Sequence, residues 1–209
     1  MNDFEVHPIV MDNFLNEEIQ AAVFKTLTSE VTWSFRPHTV NPKLCSDLFP
    51  SDRHIFSSYF IRSGQPLNEH ARMIEYIILK FLEGTKYKVN YVERAQANFD
   101  TPGKTASLRT PHTDVNIPEN TITKDSKFIT LLYYANTADG NTVIFDKKAD
   151  TTEQLDKMPK VLLEVTPKQG QLLVFDSRYY HSNWTPVESE YRMVININLL
   201  LENLSNNQE

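Results

Sequence analysis

A single cysteine, Cys45, stands in 209 residues, so no intramolecular disulfide can form. That usage fits a reducing compartment and a cytoplasmic protein. No apolar run approaches the roughly 20 residues that a membrane-spanning helix needs. The opening Met-Asn-Asp-Phe-Glu-Val lacks the basic patch and apolar stretch of a secretory signal. A basic excess is missing as well: 21 Lys and Arg face 27 Asp and Glu, for a formal charge of −6. The electrostatic footprint of non-specific phosphate binding is therefore absent, which disfavours a nucleic-acid partner. Internal repeats and low-complexity tracts are also lacking. What is present is ordinary: 40% hydrophobic and 23% charged residues, enough for one domain with a sizeable core over residues 1–209.

Two helices are expected, both in the first half. One runs from about Asn16 to Leu27, with Ile19, Val23 and Leu27 on one face. The other follows Pro66: Leu67, Ala71, Ile74, Ile77 or Ile78 and Phe81 make an apolar stripe that Gly84 stops, with His70 at its edge. From Tyr87 onward the pattern turns to short segments rich in Val, Ile, Phe and Tyr. Strands are expected at Lys88–Phe99, Lys127–Ala135, Thr142–Phe145, Val161–Val165, Gln171–Phe175 and Arg192–Leu200. Asp139-Gly140 reads as a tight turn, and Gln169-Gly170 as a second break. The segment Arg36–Pro66, with four prolines and no period, reads as a long loop or irregular connection near the entrance to a site. Asp146–Pro159 reads as an insertion between strands, and Asn203–Glu209 as a frayed polar tail. The chain thus divides into a helical support and entrance segment, 1–86, and a mainly β core, 87–202. That core is expected to be a jelly roll, the double-stranded β-helix, with the helices covering one sheet from outside.

Three pieces carry chemistry. In Pro111-His112-Thr113-Asp114, extended backbone points residues two apart to the same side, so the His112 imidazole and Asp114 carboxylate can converge on one ion. His181 follows a β-type run, and Arg192, eleven residues on, begins the last strong strand. Two neutral imidazoles and one carboxylate are the facial triad of non-haem iron(II) oxygenases, in which three protein ligands leave three positions for co-substrate and dioxygen. Each piece alone is weak: a His-x-Asp is commonly an incidental polar pair, and a lone arginine an ordinary ion-pair partner. Their order and spacing make the pattern. A hairpin between His181 and Arg192 would place the planar guanidinium fork beyond the metal, where it can hold a carboxylate bidentately.

From about Ala95 to Leu200 the chain resembles the prolyl 4-hydroxylase-like branch of the 2-oxoglutarate/iron(II) oxygenases. Thr130-Leu131-Leu132-Tyr133-Tyr134-Ala135-Asn136 is similar to that family's strand ending in Tyr-x-Asn. Gly140-Asn141-Thr142-Val143-Ile144-Phe145 resembles its Gly-Gly-x-Thr-x-Phe segment, and Pro167 to Phe175 its Pro-x-x-Gly-x-x-x-x-Phe strand. Pro186-Val187 and Tyr191-Arg192 resemble the approach to its basic co-substrate residue. The resemblance implies iron(II) on His112, Asp114 and His181, and 2-oxoglutarate anchored by Arg192. Tyr134 would assist, or would simply pack in the barrel wall. Asn98, with Pro102 and Gly103 following, resembles the Asn-x-x-x-Pro-Gly of the nucleic-acid-dealkylating branch, where the asparagine touches the co-substrate; a satisfied strand amide is the alternative. Asn196 and Asn198 share the Arg192 face. Arg109 and Arg178 flank the two metal motifs and are expected to be solvated.

The implied reaction consumes dioxygen, decarboxylates 2-oxoglutarate to succinate and carbon dioxide, hydroxylates a C–H bond, and draws on ascorbate as reductant. A prolyl or other peptide side chain is the first substrate expectation, and a small molecule the second. A non-catalytic metal-binding jelly roll and a nucleic-acid demethylase of the same superfamily remain alternatives. The sequence also departs from the family: Asp100 stands where the dealkylating branch has tyrosine, Asn198 where prolyl hydroxylases often have tryptophan, and Asn141 in place of the second glycine.

Overall fold

The structure is a computed structural model describing residues 7–41, 43, 54–114 and 126–204. The first six residues, Cys45 and the last five residues of the tail lie outside the described residues. Helix α1 spans Glu17–Ser29, and its start is fixed by Asn16, whose side-chain oxygen accepts from the Ile19 amide at 2.9 Å. Glu17 and Glu18 in the first turn suit the positive end of the helix dipole. Helix α2 spans Ala71–Leu82 and buries Ala71, Ile74, Ile77 and Ile78. It begins later than the apolar stripe suggests. Leu67 lies outside it and is exposed, because Asn68 turns the chain first by accepting from the His70 amide at 3.1 Å. His70 sits at the helix start, edge-on to Phe60. Gly84, at φ +73°, provides the left-handed residue just past the helix end.

The strands are β1 (Ile9–Met11), β2 (Ser34–Arg36), β3 (Ile55–Arg62), β4 (Gln65–Pro66), β5 (Tyr87–Asp100), β6 (Lys127–Tyr134), β7 (Thr142–Lys148), β8 (Val161–Val165), β9 (Leu172–Asp176), β10 (Tyr179–Asn183) and β11 (Arg192–Asn203). A large antiparallel sheet runs β1-β9-β6-β11-β5-β3-β2, with β4 on β3, and a small one runs β10-β7-β8. The mainly β architecture expected from the sequence is present, with two antiparallel sheets facing each other across a polar cavity.

Four expectations need correction. The segment Arg36–Pro66 is not all connection: residues 55–62 form β3, paired to β5 through Phe56–Phe99 and Ser57–Asn98. Asp139-Gly140 is a corner rather than a hairpin turn, since it carries the chain from β6 in the large sheet to β7 in the small one. The Asp139 carboxylate there accepts the amides of Val187, Glu188 and Ser189, which hold it well below the usual carboxylate range against the opposing effect of burial. Likewise β10 and β11 form no hairpin, because His181 lies in the small sheet and Arg192 at the start of the large sheet's central strand. The fourth is β10 itself, which the polar run Asp176–Tyr180 hid. Gln169-Gly170 does turn the chain, with Gly170 at φ +79°, again between sheets.

Alternation on the long strands divides the molecule. On β11, Met193, Ile195, Ile197 and Leu199 are fully buried and join Ala95 and Ala97 of β5 in one cluster with Val23 and Leu27 of α1 and Ile74 and Ile77 of α2. Each such Ile or Leu contributes about 1.5–3 kcal/mol by leaving water. The alternate residues, Arg192, Val194, Asn196 and Asn198 with Arg94, Gln96, Asn98 and Asp100, line the cavity instead. The apolar face and the helices therefore stabilise a sheet whose other face is polar along β5 and much of β11, while Leu132, Leu173, Phe175 and Val194 on that face pack against Ile144 and Val165 of the small sheet.

Candidate metal and co-substrate site

An isolated bridge joins His112, outside the strands, to His181 of the small sheet's edge strand β10, closed by reciprocal backbone hydrogen bonds of 3.0 and 2.9 Å. The bridge sets the imidazoles side by side, ring centroids 4.5 Å apart. Each Nδ1 faces a backbone carbonyl: His112 that of Thr110 at 3.2 Å, His181 that of Tyr179 at 3.1 Å. A carbonyl can only accept, so Nδ1 carries the hydrogen and Nε2 offers its lone pair. The Asp114 amide donates to the Ser177 carbonyl at 3.0 Å, which turns the carboxylate toward the two rings. One ligand atom from each of His112, Asp114 and His181 lies within 4.8 Å of the others, a group able to hold a metal ion.

Asp114 is held before any metal arrives. Its Oδ2 accepts from Asn196 at 3.1 Å, Asn198 at 3.0 Å and Thr130 at 3.2 Å, and its Oδ1 from Arg94 at 2.9 Å. Burial by itself would raise the carboxyl, but His181, Arg94 and His112 hold it well below the usual range. Burial lowers His112 to about 4, with His181 adding to the effect and Asp114 opposing it. The folded value lies below the 6.5 of an unfolded chain, so the unfolded state binds more protons between the two. Metal-free protein is therefore expected to lose on the order of 1–3 kcal/mol as pH falls from about 6.5 to 4. Thermal melts should show that loss, and it should shrink in His112→Gln; an identical pH dependence in the variant would refute the attribution. Asp114 adds its own loss only at lower pH, below the ordinary carboxylate value of 3.8.

The other end of the cavity is cationic and fully enclosed. Arg192, 3% exposed, donates through Nη1 to Asp100 Oδ2 at 3.2 Å and through Nη2 to Thr142 Oγ1 at 2.8 Å. Asp100 also accepts from buried Arg109, so two guanidiniums share that carboxylate. Among the described residues, Arg192 Nε has no hydrogen-bond partner. Thr142 Oγ1 also accepts from the Tyr134 hydroxyl at 2.8 Å. A hydroxyl that accepts twice has its own hydrogen left to donate, and Thr142 borders the cavity. An unpartnered guanidinium N–H on Arg192 and a free O–H on Thr142 fit the distal carboxylate of 2-oxoglutarate. Gly140 makes room for them: a Cβ there would lie 2.9 Å from Arg192 Cδ and 2.8 Å from the Trp184 carbonyl oxygen.

His112, Asp114, His181 and Arg192 border one cavity of about 380 Å³, as the sequence pattern requires. Tyr134 is a wall residue, with its phenol pushed up to about 12 by burial, and meets the cavity lining through Thr142 and through the Arg192 guanidinium, 5.8 Å from its ring centre. Asn98 lines the cavity, but its Oδ1 is taken by Ser57 at 2.9 Å and Gln96 at 3.1 Å. Asn196 and Asn198 both donate to the Asp114 carboxylate. Arg178 is half-exposed and pairs with Asp176 away from the metal group, whereas Arg109, expected to be solvated, is buried on Asp100. Sequence reasoning missed Asp100, Arg94, Thr130 and Thr142 as site residues. Strand alternation from Asn98 places Asp100 and Arg94 on the cavity side, and alternation from Tyr134 through Leu132 places Thr130 there, so that signal was available.

No family model matches the sequence, and no curated protein matches it either. Solved structures do. A 2OG-Fe(II) oxygenase family oxidoreductase from Burkholderia pseudomallei aligns at TM-score 0.59 and 15% identity, over 93% of this chain and 85% of that one. The viral collagen prolyl hydroxylase of Paramecium Bursaria Chlorella virus-1, solved as its 2OG complex, aligns at 0.52 and 15%, over 93% and 96%. A prolyl hydroxylase from Trichoplax adhaerens, in complex with a hypoxia inducible factor oxygen degradation domain peptide fragment, aligns at 0.55 and 14%, over 97% and 87%. The chain has the fold of the 2-oxoglutarate/iron(II) oxygenases, prolyl hydroxylases among them.

Proposed function

We propose that the protein is an iron(II)- and 2-oxoglutarate-dependent oxygenase that hydroxylates a C–H bond. One observation carries the reading: a His-Asp-His group within 4.8 Å shares a cavity with an enclosed arginine that keeps an unpartnered N–H. Iron(II) with 2-oxoglutarate and dioxygen supplies the oxidising power, leaving succinate and carbon dioxide. His112 and His181 offer Nε2, and Asp114 contributes the one anionic ligand. Asn196, Asn198, Thr130 and Arg94 fix the angle of that carboxylate. Arg192 and Thr142 orient the co-substrate by its far end, and the wall around Tyr134 keeps water from that end.

The substrate reading within this proposal is a prolyl or other peptide side chain, supported by the peptide bound to the Trichoplax structure. A small molecule is the second candidate. A non-catalytic metal-binding jelly roll would have no use for a buried arginine and hydroxyl aimed at a second ligand, and the charge of −6 disfavours a nucleic-acid demethylase. The test is succinate formation from 2-oxoglutarate by purified protein with iron(II), ascorbate and dioxygen. Iron-dependent succinate above a no-protein control is the expected result. No succinate, together with no 2-oxoglutarate binding to metal-loaded protein, would overturn the proposal.

A further inference from the structure

The cavity mouth carries charge that neither the metal group nor the co-substrate end uses. Arg62 on β3 lies opposite Arg94 on β5, a like-charge pair across neighbouring strands. Such a pair costs stability. Arg94 is engaged deeper in, donating to Asn198 Oδ1 at 3.0 Å and to Asp114. Arg62 has no such partner. Its guanidinium and that of Arg36 lie 5.8 and 5.9 Å from the centre of the Tyr59 ring, and Arg36 Nη1 donates to the Tyr59 hydroxyl at 2.6 Å. Among the described residues neither arginine makes an ion pair, and the acid bordering the mouth beside them is Glu93. Among the described residues these two cations against one anion leave a single positive charge, in a chain whose overall charge is −6. A planar guanidinium pairs best with a carboxylate, and one carboxylate balances that charge.

A second, independent feature lies one register step inward. Gln96 is 5% exposed, borders the cavity and gives its Nε2 hydrogen to Asn98 Oδ1 at 3.1 Å. Its Oε1 has no partner. A buried acceptor left unmatched costs about 1–3 kcal/mol, which an incoming N–H would recover.

Resting on the oxygenase reading above, we infer that the substrate carries a carboxylate, held at the mouth by Arg36 and Arg62, and an N–H received by Gln96 Oε1. That is the chemistry of an acylated amino acid, or of a peptide with an acidic side chain. The full chain, loaded with manganese(II) in place of iron and saturated with 2-oxoglutarate, is titrated calorimetrically with two sets of probes. One is the twenty N-acetyl-L-amino acids, each beside its neutral primary amide. The other is capped pentapeptides of glycine with a central Glu or Gln.

In at least one set the carboxylate member should bind about tenfold tighter than its neutral twin. Arg36→Ala/Arg62→Ala should bring it down to the twin's level with unchanged unfolding temperature, and Arg62→Lys should keep most of the preference. Gln96→Met should weaken acid and neutral twin alike. Preference confined to the first set identifies a free acid, and preference confined to the second an acidic peptide; either supports the inference. Equal binding of all twins, or a double variant that binds as the wild type does, overturns it. Titration of 2-oxoglutarate into the metal-loaded wild type separates the two readings. If 2-oxoglutarate binds and no carboxylate is preferred, only this inference fails; if 2-oxoglutarate does not bind, the oxygenase proposal fails.

Discussion

Replacing Asp114 by asparagine is expected to abolish iron-dependent succinate formation while leaving a folded protein. The substitution keeps shape and removes the one anionic ligand of the group. It also turns an amide toward atoms that already donate: Arg94, Thr130, Asn196 and Asn198 all give hydrogens to the Asp114 carboxylate. An amide cannot accept from four such donors, so its ligating oxygen is pulled from the metal position. Loss of a supporting hydrogen bond alone weakens metal sites roughly 10–100-fold, and losing the ligand should exceed that. Equilibrium dialysis against iron(II) reads the affinity, and 2-oxoglutarate turnover reads the consequence. Asp114→Ala serves as the second variant, with the added cost of about 1–3 kcal/mol for each buried donor it strands. Full turnover in either reconstituted variant would remove Asp114 from the metal group.

Arg192→Ala is expected to raise the Kd for 2-oxoglutarate by roughly 30-fold to 3000-fold, the effect of removing a buried charged partner worth about 2–5 kcal/mol. The KM for 2-oxoglutarate should rise more than kcat falls, because the residue acts on the end of the co-substrate remote from the metal. Thr142→Val should show the same direction with a smaller effect, about tenfold or less, since only one neutral hydroxyl is lost. Asp100 keeps Arg109 as a partner in the Arg192 variant, so the carboxylate is not left alone. An unchanged 2-oxoglutarate affinity in Arg192→Ala would move the anchor to Arg109, the other guanidinium on Asp100.

The metal group was legible because its geometry is local. Two-residue spacing in His112-Thr113-Asp114 brings two ligands to one side, and the β-type runs before His181 and after Arg192 frame the rest. The helices were legible from their stripes and from Asn16 and Gly84 at their ends. The pairing of Asp100 with Arg109 and Arg192 was not: the partners lie 9 and 92 residues apart in the chain, the register of β5 against β11 brings in Arg192, and the Arg109 amide's bond to the Asn183 carbonyl of β10 brings in Arg109. Arg109 looked solvated for the same reason: sequence reveals its charge and not what covers it. Strand β3 was hidden by its setting, since the four prolines of the segment Arg36–Pro66, Pro66 included, mask the eight extended residues among them. The supposed hairpin from His181 to Arg192 failed because nearness in sequence was taken for pairing; the chain changes sheets in between.

Strand β11 touches β5 on one side and β6 on the other, Ile195 opposite both Ala97 and Tyr133, and it alternates between greasy anchor and polar tool along its length. A slip of one position would swing Arg192, Asn196 and Asn198 into the oil beneath the helices and turn Met193, Ile195 and Ile197 toward the cavity. The misthreaded chain would lose its cohesion together with its chemistry. Correct assembly of the polar, cavity-lining face is thereby guarded by the same threading that makes the molecule cohere, so a copy that has folded has already aligned that face's side chains.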